Sequence, residues 1–185
     1  MQYRVLGCSG GEAPGFRLPS FLVEEGLLID TGSVAMALEV TQQAGIDHIL
    51  LTHTHLDHTR GLPHLADNIL GRRSEPVQVH GIAPTLDGIR RHLLNDVLWP
   101  DFTRIPSSAF PTLAYREVPE GVPFELAGFT ITAIRVNHAV ECVAYFVEMG
   151  GRTLLHVGDT GPTDAIWRHA REVPHLLAVC IETTF

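Results

Sequence analysis

Seven consecutive residues, Thr52-His53-Thr54-His55-Leu56-Asp57-His58, constrain this chain more than any other stretch. They follow an apolar, partly β-branched run over residues 46–51, which reads as a buried strand opening into a loop at the motif. On extended backbone alternate side chains point the same way, so His53 and His55 reach one metal from one side. Once the chain turns, Asp57 and His58 face a second metal. Imidazole nitrogen with carboxylate oxygen suits zinc, with manganese and iron as alternatives. The competing reading is a solvated, histidine-rich turn. It accounts for a lone His-X-His better than for the full motif behind an apolar strand.

Size and charge narrow the setting. A chain of 185 residues with 45% hydrophobic content supports one domain, residues 1–185, with a sizeable core. Thirteen Lys and Arg against 21 Asp and Glu leave a net charge of −8, which disfavours an extended phosphate-tracking surface for nucleic acid. The start, MQYRVLGCSGG, has no basic segment followed by an apolar one, and no run reaches the roughly 18 apolar residues of a membrane span, so a cytoplasmic protein is expected. Cys8, Cys142 and Cys180 are odd in number and set in apolar sequence, which predicts reduced core thiols.

The remaining pattern alternates strands and helices. Strands are predicted over residues 3–6, 21–24, 27–30, 77–80, 124–126, 129–136, 142–148, 152–157 and a buried 176–181. Helices are predicted over 34–44, 61–70, 85–98 and 164–171, the third with a stripe of Leu86, Ile89, Leu93, Leu94 and Val97, the fourth with Ile166 and Trp167 inward. Residues 7–15 form a Gly-rich loop without the Lys-Ser/Thr ending of a nucleotide P-loop, and 106–123, with four prolines, read as surface connection. His80 reads as no more than a strand-closing residue, and His156 as a core histidine.

The 52–58 motif resembles the signature of the metallo-β-lactamase superfamily, whose hydrolases hold two metals between two β-sheets. That resemblance implies an α/β fold, the αββα four-layer sandwich. It gives His53, His55 and His138 to a first metal, Asp57 and His58 to a second, and Asp159 of Gly158-Asp159-Thr160-Gly161 to a bridge between them. Asp30, at a strand end, matches the supporting aspartate behind the ligands, and Glu182 the acid that assists proton transfer near the leaving group. The family carries one further histidine and a terminal helix or two beyond the last strand. Neither is present here, so the expected sandwich lacks its C-terminal helices and its second metal is short of one ligand.

Within that superfamily the runs Leu6 to Gly11, Ala66 to Ile69 and His92 to Phe102 look like class II 3′,5′-cyclic-nucleotide phosphodiesterases. On that resemblance Trp99 and Phe102, with Asn95, form a stacking wall for a purine; the alternative is that both aromatics are core anchors. The implied function is a phosphodiesterase, with two divalent ions and a hydroxide bridging them, that hydrolyses a cyclic nucleotide such as cAMP. The expected partner is thus a small phosphodiester, and a homodimer is compatible with it. Catalysis would use Asp57 to orient the hydroxide and Glu182 as the acid. A tRNA 3′-processing endonuclease is the first rival, because the ending Glu182-Thr183-Thr184-Phe185 looks similar too. Those enzymes often carry an RNA-gripping arm between the third histidine and the later aspartate, where this chain has only a strand pair. A non-catalytic metal-binding domain of the same fold is the second rival.

Overall fold

The computed structural model describes residues 1–182. Thr183, Thr184 and Phe185, part of the RNA-processing resemblance, lie outside the described residues. The chain divides into two compact units, Gln2–Glu117 and Val118–Phe185, with Met1 assigned to the second.

The first unit holds β1 (Tyr3–Gly7), β2 (Ser20–Val23), β3 (Leu27–Thr31), α1 (Val34–Ala37), α2 (Val40–Gln43), β4 (His48–Leu50), α3 (Leu56–Thr59), α4 (Gly61–Ile69), β5 (Val77–Gly81), α5 (Ala83–His92), the two-residue strands β6 (Pro106–Ser107) and β7 (Phe110–Pro111), and β8 (Leu113–Glu117). Its six-stranded sheet has the order β1-β2-β3-β4-β5-β8. The β1, β2 and β3 pairs are antiparallel, whereas β3, β4, β5 and β8 run parallel. Parallel neighbours end at one edge, and helical crossovers leave from that edge. Ile29 pairs with Leu50, which brings Asp30 at the end of β3 beside the residues that follow β4. The helices bury their apolar stripes on the Ile49, Leu51, Val77 and Val79 face, through Val34, Leu62, Leu65, Leu86 and Ile89.

Several elements differ from expectation for local reasons. The predicted helix 34–44 is two short helices, because Leu38 is extended (φ −119°, ψ 142°) and Glu39 restarts the helix in a capping box with Gln42. Buried Gln43 donates to the carbonyl of Leu38 at 2.7 Å, which satisfies the break. The predicted helix 85–98 stops at His92. There Asn95 donates to the carbonyl of Arg91 and accepts from the amides of Val97 and Leu98, closing a turn that outcompetes helix. Val97 is consequently 90% exposed and not on the apolar stripe. Inside the proline-rich connection lies an unexpected strand, β8, whose Leu113 to Glu117 pairs along all of β5.

The second unit holds β9 (Phe124–Leu126), β10 (Phe129–Val136), β11 (Cys142–Met149), β12 (Arg152–Gly158), α6 (Ala165–Ala170) and β13 (Leu176–Ile181). The sheet order is β13-β12-β11-β10-β9. Both β10 and β12 are antiparallel to the β11 between them, and β13 is parallel to β12. Hence β10, β12 and β13 all end at one edge, where His138, Asp159 and Glu182 follow. Ile166 on α6 seals the core of Val136, Phe146, Leu155 and Val157. Trp167 points outward instead of inward, at 40% exposure. The last strand is not buried either: β13 is the outer strand of its sheet, and Leu177 is 56% exposed. Of the three cysteines only Cys142 is a core thiol, since Cys8 enters the Gly-rich turn and Cys180 sits on that outer strand.

Candidate metal centre

Asp30 organises the first unit's donor cluster. It is fully buried at a left-handed φ of 53°, a conformation that Asp and Asn tolerate better than most residues. One carboxylate oxygen accepts the Thr52 amide at 2.9 Å; the other accepts the Thr52 hydroxyl at 2.8 Å and His58 Nδ1–H at 2.7 Å. The Thr52 hydroxyl has one proton and gives it to Asp30, so its oxygen accepts at its further contacts, His53 Nδ1 at 3.0 Å and, more weakly, His58 Nδ1 at 3.4 Å. Both Nδ1 atoms therefore carry the proton, and both Nε2 atoms carry the lone pair a metal needs. From the sequence Thr52 reads only as the first residue of the motif, although a hydroxyl residue opening a histidine motif is a usable signal of a ring-orienting partner.

The rings gather closely. His53 lies 4.7 Å from His55 and 4.2 Å from His58 between centroids. Asp57 Oδ2 stands 3.6 Å from His58 Nε2. That is longer than a hydrogen bond and close to the roughly 3.4 Å expected between two donors on one tetrahedral ion. Glycines make the packing behind these residues possible. A Cβ on Gly61 would lie 1.9 Å from the Thr31 carbonyl oxygen, one on Gly32 2.3 Å from that of Asp57, and one on Gly88 2.5 Å from the Thr54 methyl. The motif turn is thereby clamped between the end of β3, the start of α4 and the middle of α5.

The second unit repeats the donor spacing. His138 Nε2 is 3.7 Å from Asp159 Oδ2. The two loops that carry them are joined where the Gly161 amide donates to the Asn137 carbonyl at 2.6 Å and Asn137 Nδ2 to that of Pro162 at 3.3 Å. Gly158, at φ 66°, makes the turn that presents Asp159. The Glu182 amide reaches the Gly158 carbonyl at 3.4 Å, which sets Glu182 beside Asp159 on the same edge.

The expected purine wall is not formed. Phe102 is 2% exposed within the first unit's core, and Trp99 packs half-buried against that core with its ring edge-on to His64 at 5.0 Å. The Asn95 amide is consumed by its own turn. The core-anchor alternative describes both aromatics.

A family model described as the β-lactamase superfamily domain matches residues 27–182. The chain belongs to the metallo-β-lactamase superfamily. It has the metallo-β-lactamase fold, and its His and Asp side chains are of the chemistry that divalent metals take. Ribonuclease Z of Bradyrhizobium sp. (strain ORS 278) is 35% identical over 128 residues, 65% of this chain. The chain spans about 40% of that relative's length. The 3′,5′-cyclic-nucleotide phosphodiesterase 1 of Saccharomyces cerevisiae is 37% identical over 60 residues, 32% of this chain and 16% of that protein. The crystal structure of unliganded yeast PDE1 matches with a TM-score of 0.82 at 15% identity, covering 98% of this chain and 74% of that one. At that identity the likeness is one of fold.

Proposed function

We propose that this metallo-β-lactamase superfamily member is a binuclear, metal-dependent phosphodiesterase, and that a 3′,5′-cyclic nucleotide such as cAMP is its substrate. The observation that carries the reading is the Asp30–Thr52 network, which fixes His53 and His58 with Nε2 as the electron-pair donor. In this reading His53, His55 and His138 would hold one ion and Asp57 and His58 the other, with Asp159 as a further ligand. Zinc is the ion this nitrogen-rich set favours, over manganese or iron. Bound divalent metal would supply a water whose pKa is lowered towards about 7 and positive charge for the phosphoryl oxygens.

The chain's own groups do the rest. Asp57 accepts a hydrogen bond from the attacking water and aims its lone pair at phosphorus. His58, fixed by Asp30, cannot turn away when the substrate arrives. Glu182, beside Asp159, handles the proton of the departing oxygen. A second reading, hydrolysis of an RNA phosphodiester, is supported by the ribonuclease Z relative, which matches twice as much of this chain as the cyclic-nucleotide phosphodiesterase does. The burial of Phe102 also withdraws one support from the purine reading.

The test offers the zinc-loaded protein cAMP, cGMP, a tRNA precursor and bis(4-nitrophenyl) phosphate. Turnover of cyclic nucleotides supports the proposal. Cleavage of the tRNA precursor alone replaces the substrate, and two bound ions without any turnover would make this a binding domain.

A further inference from the structure

Arg60 lies two positions beyond His58, at the joint between α3 and α4. Its backbone is helical (φ −54°, ψ −36°), and its amide donates to the Leu56 carbonyl at 2.7 Å, so the helical path runs through the joint. Residues three and four apart share a helical face, which places Asp57, Arg60 and His64 on one strip leading away from the metal donors. Glu12, Gly32, Ser33, Met36, Arg60 and His64 line a small cleft on this side. Gly32 abuts the Asp57 carbonyl, so the cleft adjoins the turn that carries a proposed metal ligand.

The Arg60 guanidinium is ion-paired with the carboxylate of Glu12. Glu12 belongs to the exposed Gly-rich turn, closed by Ser9 N–H to the Arg17 carbonyl at 2.9 Å and Phe16 N–H to that of Ala13 at 2.9 Å. Arg60 and Glu12 are both exposed, at 45% and 41%, and an ion pair so exposed adds little to stability. A guanidinium fork accepts two oxygens of a phosphate in the geometry it uses for a carboxylate. We propose that Arg60 is a substrate-binding residue that exchanges the Glu12 carboxylate for non-bridging oxygens of the substrate phosphate, and that Glu12 competes with the substrate for it. The inference rests on the phosphodiesterase reading and adds to it a cation from outside the metal shell and an internal competitor.

Opposite shifts in two variants test it. The zinc-loaded protein, Arg60→Gln and Glu12→Gln are compared in hydrolysis of bis(4-nitrophenyl) phosphate and in calorimetric binding of inorganic phosphate. Arg60→Gln is expected to raise KM and weaken phosphate binding about tenfold, with the loss in KM and not in kcat. Glu12→Gln is expected to tighten both by about threefold. Unchanged KM and phosphate affinity in both variants would overturn the exchange. So would equal weakening in both, since the pair would then only hold the turn in shape. If the parent protein leaves the aryl diester intact, the phosphodiesterase reading fails on its own, and the phosphate affinities still decide the role of Arg60.

Discussion

At the scale of single residues, Asp30 decides the chemistry although it is no metal ligand. Its two oxygens receive three donors, from the Thr52 amide, the Thr52 hydroxyl and His58 Nδ1. Asn is the informative replacement, because it tolerates the left-handed φ of 53° and keeps the shape while removing the charge. Its amide nitrogen would then face protons already pointing at it, so the Thr52 hydroxyl and the His58 ring must turn. Asp30→Asn is expected to weaken zinc affinity about 10- to 100-fold and to cost about 3 kcal/mol of stability. Competition titration against a zinc chelator and the urea midpoint of the metal-free protein measure the two effects separately. Unchanged zinc affinity would mean that the rings are oriented by something other than this carboxylate.

At the scale of elements, the β4–β5 pair contains a second histidine contact that serves stability. His48 Nδ1 and His80 Nε2 lie 3.2 Å apart, a distance for one shared proton between two neutral rings. Burial lowers the His80 pKa to about 4, with His48 and Arg116 pushing the same way. Burial also lowers that of His48, Asp47 opposing it and Arg73 assisting. The unfolded chain takes up a proton near pH 6.5 that folded His80 refuses until about pH 4. Stability is therefore complete above pH 6.5 and is lost as the pH falls towards 4, by on the order of 2–3 kcal/mol. Urea midpoints between pH 7.5 and 5 are expected to decline for the parent and to stay flatter for His80→Gln; parallel slopes would remove the dyad as the cause. From the sequence His80 reads as a strand end, because only the β4–β5 register, Leu50 against His80, brings His48 to it. The same limit explains β8: local punctuation by prolines is visible in the chain, whereas a parallel partner is not. The strands around the 52–58 motif and the β10–β12 run were legible because burial imposes its pattern directly on sequence. The helix expected over 85–98 ends early because a single side-chain amide, that of Asn95, closes a turn there, which apolar periodicity does not reveal.

At the scale of the whole molecule, the family match over residues 27–182 takes in every proposed metal ligand. Those ligands come from opposite halves of the sequence, His53 and His55 from one, His138 and Asp159 from the other. A chain with a net charge of −8 would gain from the proposed divalent cations through local neutralisation as well as through ligation. In the unfolded chain the donors are scattered, so metal binds the folded form far better and stabilises it by mass action. With free zinc at about 100 times its dissociation constant the gain is about 2.7 kcal/mol, or roughly 5–10 °C in Tm for a chain of this size. Chelation is expected to reverse the rise. His138→Ala should abolish most of it while leaving the metal-free Tm near that of the parent, because His138 is partly exposed and lies beyond the end of β10. A zinc-induced rise of full size in His138→Ala would show that His138 holds no ion, and the ligand set of the proposed phosphodiesterase would have to be given up.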